Sequence, residues 1–386
     1  MKIVMAYFEN LAGMVGGLEK ILCDFSNAMT AKGHNVYIIT NDDNHGYPYF
    51  ELDKKIPIIN LREISRKQGK ISLCAKVMRE SFRLLGKNYV RLWKEKYRNG
   101  YIQDILPGVL AQIKPDVIIS YNNETTGQLF RANIETPYIT MLHNDPDFLC
   151  KVMTSTERKG IAASQYIQVL TPCFVKKAQK FFPNANIIYI PNEVEQYEYQ
   201  VRSLKKQHTI ICVARLNKGQ KRQHLLIQAF SKIAPEHPDW NLKFAGTGDP
   251  KYIEELRQLI KNQKMEKQIF LIGPTSDILN EYKKADIFAF PSAFEGFGLA
   301  LVEAMSSGLP CIGFRSASAV NEIILNNQNG ILVDDGISAL ANGLSLLMND
   351  ENLRIQLGEY AHVYAKQYEA HFVWEKWEKL LEGIQK

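Results

Sequence analysis

Two glutamates separated by seven residues are the side chains of this sequence best suited to chemistry. Glu295 precedes a loop containing Gly296 and Gly298, and Glu303 lies within a helix predicted from about Phe297. The free N–H groups and positive dipole at such a helix start bind phosphate, and carboxylates accept hydrogen bonds from sugar hydroxyls. Two solvated acids are the alternative, but Glu303 lies among apolar residues, where an unused charge would be costly. The segment therefore predicts a nucleotide-sugar site.

A basic stretch supplies the charge that such a ligand requires. Arg215, Lys218 and Lys221 follow a predicted strand within eight residues. Departure of a nucleoside diphosphate leaves negative charge on its β-phosphate, and fixed cations stabilise that charge as a bound Mg²⁺ otherwise would. Arginine offers a bidentate fork and lysine a point charge. The alternative is an exposed basic turn without a ligand.

Two glycine loops are candidates for close approach to a ligand. Gly16 and Gly17 follow the first predicted strand, and Gly246 ends a later strand. Glycines let the backbone come near a ligand and present its N–H donors. The first loop lacks the G-x-G-x-x-G dinucleotide pattern, which argues against an NAD-dependent oxidoreductase. The alternative is that these glycines only shape tight turns.

A histidine and two aspartates follow another predicted strand. His143 could hydrogen-bond a sugar hydroxyl or steady charge at an anomeric carbon, or it could be a structural histidine. Asp145 and Asp147 imitate a D-x-D metal motif. The cations of the basic stretch make a metal unnecessary, so we predict no metal and no cofactor.

Short apolar runs alternate with helical segments along the chain, which indicates parallel βαβ units and doubly wound α/β sheets. The predicted strands form one series at 3–8, 35–40, 57–61, 116–121, 137–143 and 166–171, and another at 208–214, 241–245, 269–272, 286–290, 311–314 and 330–333. We predict Rossmann-like domains over 1–192 and 208–369, a polar linker over 193–207, and a terminal helix within 370–386. Ligands gather at the carboxyl ends of parallel strands, so a cleft between the domains is expected to hold them.

Composition is that of an ordinary globular protein of two domains. The chain has 386 residues and a formal net charge of +6. It contains no run of eighteen apolar residues, and its first residues read as a strand rather than a signal peptide. Six scattered cysteines indicate reduced thiols. These features predict a cytoplasmic protein.

Residues 65–100 stand apart from the α/β pattern. They carry eleven Lys or Arg against two Glu, interleaved with apolar residues at helical spacing. Basic amphipathic helices of this kind lie on anionic membrane surfaces. A nucleic-acid patch would fit the charge, but no recognition motif accompanies it, and a plain solvated helix face is the third alternative.

Three of these segments resemble one known family. The segment E-G-F-G-L-A-L-V-E-A-M, from Glu295, resembles the E-x7-E signature of retaining glycosyltransferase family 4, the group 1 glycosyltransferases with the GT-B fold. The basic stretch resembles the family pattern G-R-L-x3-K-G-x-D-x-L-I-x-A-F, and counting back from Phe230 places Lys221 in register. Ala214 replaces a glycine of that pattern, and one extra residue follows Arg215. Gly16 and Gly17 are similar to the family's G-G-x-E.

The resemblance implies a retaining transferase that uses a nucleotide-sugar, most simply a UDP-sugar, without a metal. Arg215 and Lys221 would hold the diphosphate, and the amides of Phe297, Gly298 and Leu299 would support a phosphate. By the same analogy Glu303 would bind the ribose and Glu295 the transferred sugar, with His143 near the anomeric carbon and Gly16, Gly17 and Gly246 lining the site.

The family also implies a setting and leaves alternatives. The acceptor would be a glycan or lipid-linked glycan of surface polysaccharide or glycolipid synthesis, and the terminal helix would either cross back to the first domain or pack on the second. Family members contact membrane-embedded acceptors near the position of residues 65–100, which favours peripheral association with the inner membrane face. An inverting GT-B transferase and a catalytically silent nucleotide-sugar-binding partner of another transferase remain open.

Overall fold

The chain divides into two compact units. The computed structural model describes residues 1–65, 99–199, 207–275 and 277–384. Unit 1 comprises Met1–Pro191 and Trp374–Lys386, and unit 2 comprises Asn192–Val373.

Unit 1 is built on a seven-stranded parallel sheet. Its strands are β1 (Lys2–Tyr7), β2 (Asn35–Thr40), β3 (Ile58–Asn60), β4 (Val117–Ser120), β5 (Tyr138–Leu142), β6 (Tyr166–Val169) and β7 (Ile187–Tyr189). They lie in the order β3-β2-β1-β4-β5-β6-β7. The central strands are buried throughout, as expected for a parallel sheet covered on both faces. The sequence predicted the first six strands; β7 was missed because it is three residues long and only half-buried.

The helices of unit 1 alternate with these strands. They are α1 (Gly17–Ala31), α2 (Leu61–Ile64), α3 (Ile102–Ile113), α4 (Asn123–Arg131), α5 (Pro146–Val152), α6 (Ser155–Ala162) and α7 (Pro172–Phe181). The terminal helix Ala370–Ile384 belongs to unit 1 from Trp374 onward. Trp374 and Trp377 pack edge-on against Phe25 of α1, with ring centroids 5.8 and 4.9 Å apart. These large aromatic contacts attach the end of the chain to unit 1.

Unit 2 is built on a six-stranded parallel sheet. Its strands are β8 (His208–Val213), β9 (Trp240–Ala245), β10 (Ile269–Gly273), β11 (Ile287–Phe290), β12 (Cys311–Phe314) and β13 (Gly330–Val333), and each corresponds to a predicted strand. Their order is β10-β9-β8-β11-β12-β13. The helices are α8 (Gln223–Ile233), α9 (Pro250–Asn262), α10 (Ile278–Lys284), α11 (Leu299–Ser306), α12 (Val320–Ile323), α13 (Ile337–Asn349) and α14 (Glu351–Ala365), and Ala370–Ile384 is α15.

Each sheet reverses its strand order at one point, and ligands of doubly wound sheets bind at the carboxyl ends of the strands on either side of it. The reversal lies between β1 and β4 in unit 1 and between β8 and β11 in unit 2. The loops that follow β8 and β11 contain Lys221 and Glu295. The topology therefore places the basic stretch and the first glutamate side by side.

Two predicted segments, the basic segment and the linker, lie wholly or partly outside the described residues. Apart from residues 65, 99 and 100, the basic segment 65–100 lies outside the described residues, as does 200–206 of the expected linker. In the described ranges no helix has the length and apolar character needed to cross a membrane. The five described cysteines form no disulfide.

Candidate functional site

Lys221 and Glu295 form an ion pair at the switch point of unit 2. The Lys221 Nζ lies 2.6 Å from Glu295 Oε1, and the two side chains are 15% and 7% exposed. The ammonium also lies 4.7 Å from the centroid of the Phe290 ring, at the end of β11. Ion pairing and cation–π attraction, both strengthened by the low exposure of the two side chains, hold this cation in place. The structure thus brings together two residues that the sequence separates by more than seventy positions.

Arg215 differs from Lys221 in its surroundings. Its side chain is exposed, and its guanidinium makes no hydrogen bond or ion pair within the part of the chain that the structure describes. The backbone carbonyl of Arg215 accepts a hydrogen bond from Gln223 Nε2 (3.1 Å), which fixes the main chain while the side chain stays in solvent. Of the two cations predicted to bind the diphosphate, Arg215 is available and Lys221 is already paired.

Backbone hydrogen bonds join the loops that carry these residues. The Ala293 N–H donates to the Gln220 carbonyl (2.7 Å), and the Gln220 side chain donates to the Phe294 carbonyl (3.2 Å). The Glu295 N–H donates to the Ser318 carbonyl (3.1 Å). The backbone of three consecutive residues before the glycines is therefore anchored, and this fixes the main chain from which the Glu295 side chain extends.

Gly246 allows the loop after β9 to pack closely against the basic stretch. A Cβ at Gly246 would lie 2.1 Å from the carbonyl oxygen of Ala214, and its φ of 140° is unfavourable for other residues. The next glycine, Gly248, would bring a Cβ within 2.0 Å of the Leu216 carbonyl. The Leu216 N–H donates to the Thr247 carbonyl (2.8 Å). These glycines let two loops pack backbone to backbone, and contact of Gly246 with a nucleotide stays a prediction.

The helix after Glu295 begins two residues later than predicted. Gly298, with φ 93°, is the N-cap of α11, and Leu299 is its first residue. The Phe297 ring is buried edge-on against Tyr368, with centroids 5.2 Å apart. The side chain of Phe297 is therefore structural, while the first N–H groups of the helix have no acceptor within it. An amide site for a phosphate at this helix start stays a prediction.

Glu303 accepts a hydrogen bond from a buried tyrosine. The Tyr282 hydroxyl donates to Glu303 Oε2 (3.1 Å). Burial, with the charge and hydrogen bond of Glu303, raises the pKa of Tyr282 well above its usual value, so the hydroxyl stays a donor. Tyr282 thereby holds one oxygen of Glu303 in place. The ribose contact predicted for Glu303 is not tested by this geometry.

Two residues that shape the site were not identified from the sequence. Gln223 is fully buried and accepts a hydrogen bond from the Asn217 N–H (3.2 Å), in addition to its bond to Arg215. Arg222 bonds to the loop after β11. The signal for Arg222 was present, since it follows the in-register Lys221 at the position where the family pattern has glycine.

In unit 1 the glycine pair lies at the start of α1. Gly16 is the N-cap, and a Cβ there would lie 2.4 Å from Glu19 Oε2. The Glu19 carboxylate is buried and accepts a hydrogen bond from the Tyr7 hydroxyl at the end of β1 (2.8 Å). A side chain at position 16 would therefore displace the Glu19 carboxylate, and Gly17 begins the helix. Their contact with a donor stays a prediction.

His143 follows β5 and packs against aromatic residues. Its ring centroid lies 4.5 Å from that of Tyr121, which in turn packs edge-on against Tyr7 at 5.9 Å. His143 Nε2 and the Tyr121 hydroxyl are buried and have no hydrogen-bond partner among the described residues. Burial lowers the pKa of His143 to about 3. The imidazole is therefore neutral near pH 7 and suited to hydrogen bonding rather than to carrying charge.

This histidine is expected to make unit 1 sensitive to acid. The unfolded chain binds a proton at His143 near pH 6.5 and the folded chain only near pH 3, so its stabilisation is full above about pH 6.5 and is lost as the pH falls toward 3. The drop in Tm between pH 7 and 4.5 should be smaller in His143→Gln than in the wild type. His45→Gln, at an exposed histidine of unit 1, is the control. Equal drops in all three proteins would contradict the assignment.

Asp145 and Asp147 are arranged around a lysine. The Asp145 carboxylate caps α5 by accepting from the Asp147 N–H (2.8 Å), and its other oxygen lies 2.6 Å from Lys177 Nζ. Lys177 also lies 3.4 Å from Asp147. Burial would lower the pKa of Lys177, but the hydrogen bond and charge of Asp145 raise it overall. Because Asp145 is buried, caps α5 and pairs with Lys177, it is a poor candidate for a metal ligand or a general base.

Most of unit 2 is similar to a known family. Residues 194–363 match the model of the family described as glycosyl transferases group 1. Two doubly wound parallel sheets of this kind are the architecture of the GT-B fold, and residues 194–363 are similar to the group 1 glycosyltransferases. The recognition and the fold class drawn from the motifs are confirmed.

Three relatives define the extent of the likeness. The chain is 25% identical over 388 residues to an uncharacterized glycosyltransferase of Haemophilus influenzae, covering 99% of this chain and 100% of the relative. It is 24% identical over 374 residues to a GalNAc-α-(1->4)-GalNAc-α-(1->3)-diNAcBac-PP-undecaprenol α-1,4-N-acetyl-D-galactosaminyltransferase of Campylobacter jejuni, covering 96% of each chain. A solved TarM variant of S. aureus, in complex with fondaparinux, α-GlcNAc-glycerol and UDP, superposes with a TM-score of 0.76 at 15% identity over 99% of this chain and 100% of TarM.

Proposed function

We propose that this protein is a retaining, metal-independent transferase that moves a hexosyl or N-acetylhexosaminyl group from a UDP-sugar to a glycan or lipid-linked glycan. The observation that carries the proposal is the charge arrangement at the switch point of unit 2. There, the exposed Arg215 and the paired Lys221 follow β8, and Glu295 follows β11. This set offers two cations to a diphosphate and one carboxylate to sugar hydroxyls.

The relatives support the choice of substrates. The TarM complex contains UDP, and the Campylobacter relative is named for a lipid diphosphate-linked acceptor. Those ligands are the ones named for the related proteins. For this chain, UDP and a lipid-linked acceptor are part of the proposal. The setting would be surface polysaccharide or glycolipid synthesis on the cytoplasmic face of a membrane.

In the proposed reaction, the bond between the anomeric carbon and the β-phosphate oxygen breaks, and the acceptor oxygen bonds to that carbon on the same face. The departing phosphate oxygen takes the proton of the acceptor hydroxyl. Arg215 and Lys221 stabilise the negative charge that grows on the diphosphate, which is the largest expected electrostatic contribution to catalysis. Glu295 orients hydroxyls of the transferred sugar.

Binding and hydrolysis of the donor test the proposal in one series. We expect UDP to raise the Tm of the purified protein more than GDP does. One of a panel of UDP-sugars should then be hydrolysed slowly without acceptor, and EDTA should leave that rate unchanged. Stabilisation by GDP alone would reject the choice of base, and loss of activity in EDTA would reject metal independence. Donor binding without hydrolysis or transfer would favour a silent binding partner.

The stereochemistry of the product tests retention separately. An α-linked donor sugar should give an α-linked product, which proton NMR reads from the coupling constant of the anomeric proton. A β-linked product would mean inversion, and inversion would require a general base in unit 1 other than the lysine-paired Asp145.

A further inference from the structure

Arg222 has an unusual backbone conformation for an arginine. It is the N-cap of α8 with φ 50° and ψ 38°, in the left-handed region. That region is unfavourable for a residue with a Cβ, and glycine is the usual occupant. The family pattern has glycine at this position, directly after the lysine that corresponds to Lys221. A strained arginine in place of glycine suggests that its side chain compensates for the strain.

The Arg222 side chain connects the ends of three strands of unit 2. Its Nε donates to the Pro291 carbonyl and its Nη2 to the Ser292 carbonyl, both at 3.1 Å, immediately after β11. Its Nη1 lies 2.8 Å from Asp335, beyond β13. The guanidinium lies over the Phe314 ring at the end of β12, 4.7 Å from its centroid. Only 16% of the side chain is exposed.

These contacts distinguish Arg222 from a ligand-binding cation. Each nitrogen of its guanidinium is already hydrogen-bonded to a protein oxygen, and its charge is balanced by Asp335. Arg215, in contrast, is exposed and makes no polar side-chain contact with the described residues. The two arginines of one loop therefore have different tasks, and Arg222 acts on the protein itself.

We propose that Arg222 is a positioning residue that holds the loop 291–298 against the loop 215–222. The two carbonyls that it binds come three and four residues before Glu295, whose carboxylate meets Lys221. By fixing those carbonyls, Arg222 sets the place of Glu295 and of the start of α11. The effect on donor binding rests on the proposed function, whereas the effect on the loop does not.

Hydrogen exchange of the ligand-free protein tests the effect on the loop. Arg222→Gly removes the side-chain hydrogen bonds but also relieves the backbone strain at this position. Because the second effect offsets the first, the overall fold should be kept. Exchange of the amides in 291–298 should become at least about tenfold faster, because the anchored carbonyls are released. Lys264→Gly is the matched control. Lys264 also has a positive φ (57°), but its side chain is exposed, and it precedes strand β10 whereas Arg222 follows strand β8. Unchanged exchange in Arg222→Gly would overturn the proposal.

Two further variants separate the possible causes. Asp335→Ala removes one anchor without altering the backbone at position 222, and it should speed exchange in the same segment by a smaller factor. Arg222→Lys keeps the charge but cannot reach three acceptors with a fork geometry, so it should behave like Arg222→Gly. If Arg222→Lys retained full protection, charge rather than positioning would explain the effect, and the proposal would be wrong.

Titration with UDP then connects the loop to the donor. Arg222→Gly should weaken UDP binding by about tenfold, because the loop that carries Glu295 is no longer held in place, while Lys264→Gly should bind as the wild type does. A loosened loop with unchanged UDP affinity would overturn the link to the donor site. If the wild type itself binds no UDP, the proposed function fails, and the exchange experiment still decides the role of Arg222.

Discussion

Replacing Lys221 with methionine is expected to destabilise unit 2 and to remove almost all donor turnover. The ammonium lies 2.6 Å from Glu295 Oε1, and the Glu295 side chain is only 7% exposed. Without Lys221, a nearly buried carboxylate is left unpaired, and breaking a buried pair on one side costs about 3–5 kcal/mol of unfolding free energy. Loss of a cation at the departing diphosphate should lower kcat by a factor of about 10² to 10³.

A double variant separates these two effects. In Lys221→Met with Glu295→Gln, no charge is left without a partner, so most of the lost stability should return. Activity should not return, because the diphosphate still lacks its lysine and the sugar its carboxylate. Urea unfolding measures the first quantity and hydrolysis of the UDP-sugar the second.

Recovery of both stability and turnover in the double variant would mean that the pair is structural and that neither side chain acts on the donor. Failure of the double variant to recover stability would mean that the ion pair contributes through its geometry rather than by charge compensation. Either result would change the role assigned to the ion pair between Lys221 and Glu295. The unfolding measurement and the hydrolysis measurement are therefore each informative alone.

The meeting of Lys221 and Glu295 could be predicted because it depends on strand order. A run of apolar residues identifies β8 and β11, and the doubly wound pattern makes them neighbours at the point of reversal. Residues that follow the carboxyl ends of two such strands must lie close together. Register counting from Phe230 chose Lys221 over Lys218, and Lys218 instead pairs with Glu255 on the surface.

Other features could not be predicted because they depend on packing between loops. The sequence does not show that the Phe297 ring is buried against Tyr368, or that Gly246 is required by the Ala214 carbonyl. Strand β7 has only three half-buried residues, too few to display a period. His143 was selected as a strand-end histidine, but its contact with Tyr121 and its lowered pKa arise from tertiary burial.

The ion pair has a consequence for the way in which a diphosphate can bind. Lys221 is held by Glu295 before any donor arrives, so a phosphate must compete with this carboxylate or share the ammonium with it. Arg215 needs no such exchange, because its guanidinium is exposed and keeps its hydrogen-bond donors available to a ligand. We therefore expect Arg215 to make the first contact with the diphosphate and Lys221 to contribute most as charge develops.

Arg215→Ala is accordingly expected to weaken UDP binding and to slow donor hydrolysis without loss of stability. The side chain is exposed and makes no polar contact with the described residues, so its removal should leave the Tm within about 1 °C of the wild type. Loss of a bidentate cation at the leaving group should reduce kcat/KM by a factor of about 10² to 10³. Calorimetric titration with UDP and hydrolysis rates at saturating donor separate ground-state from transition-state effects.

Arg257→Ala provides the matched control within unit 2. Arg257 is an arginine on α9 whose side chain is 64% exposed and lies 3.4 Å from Glu254. Its removal alters net charge by the same amount as Arg215→Ala, so any general electrostatic effect on an anionic donor appears in both variants. If the two variants lose the same activity, Arg215 acts only through net charge. If only Arg215→Ala loses activity while its Tm is unchanged, the exposed guanidinium contacts the donor directly.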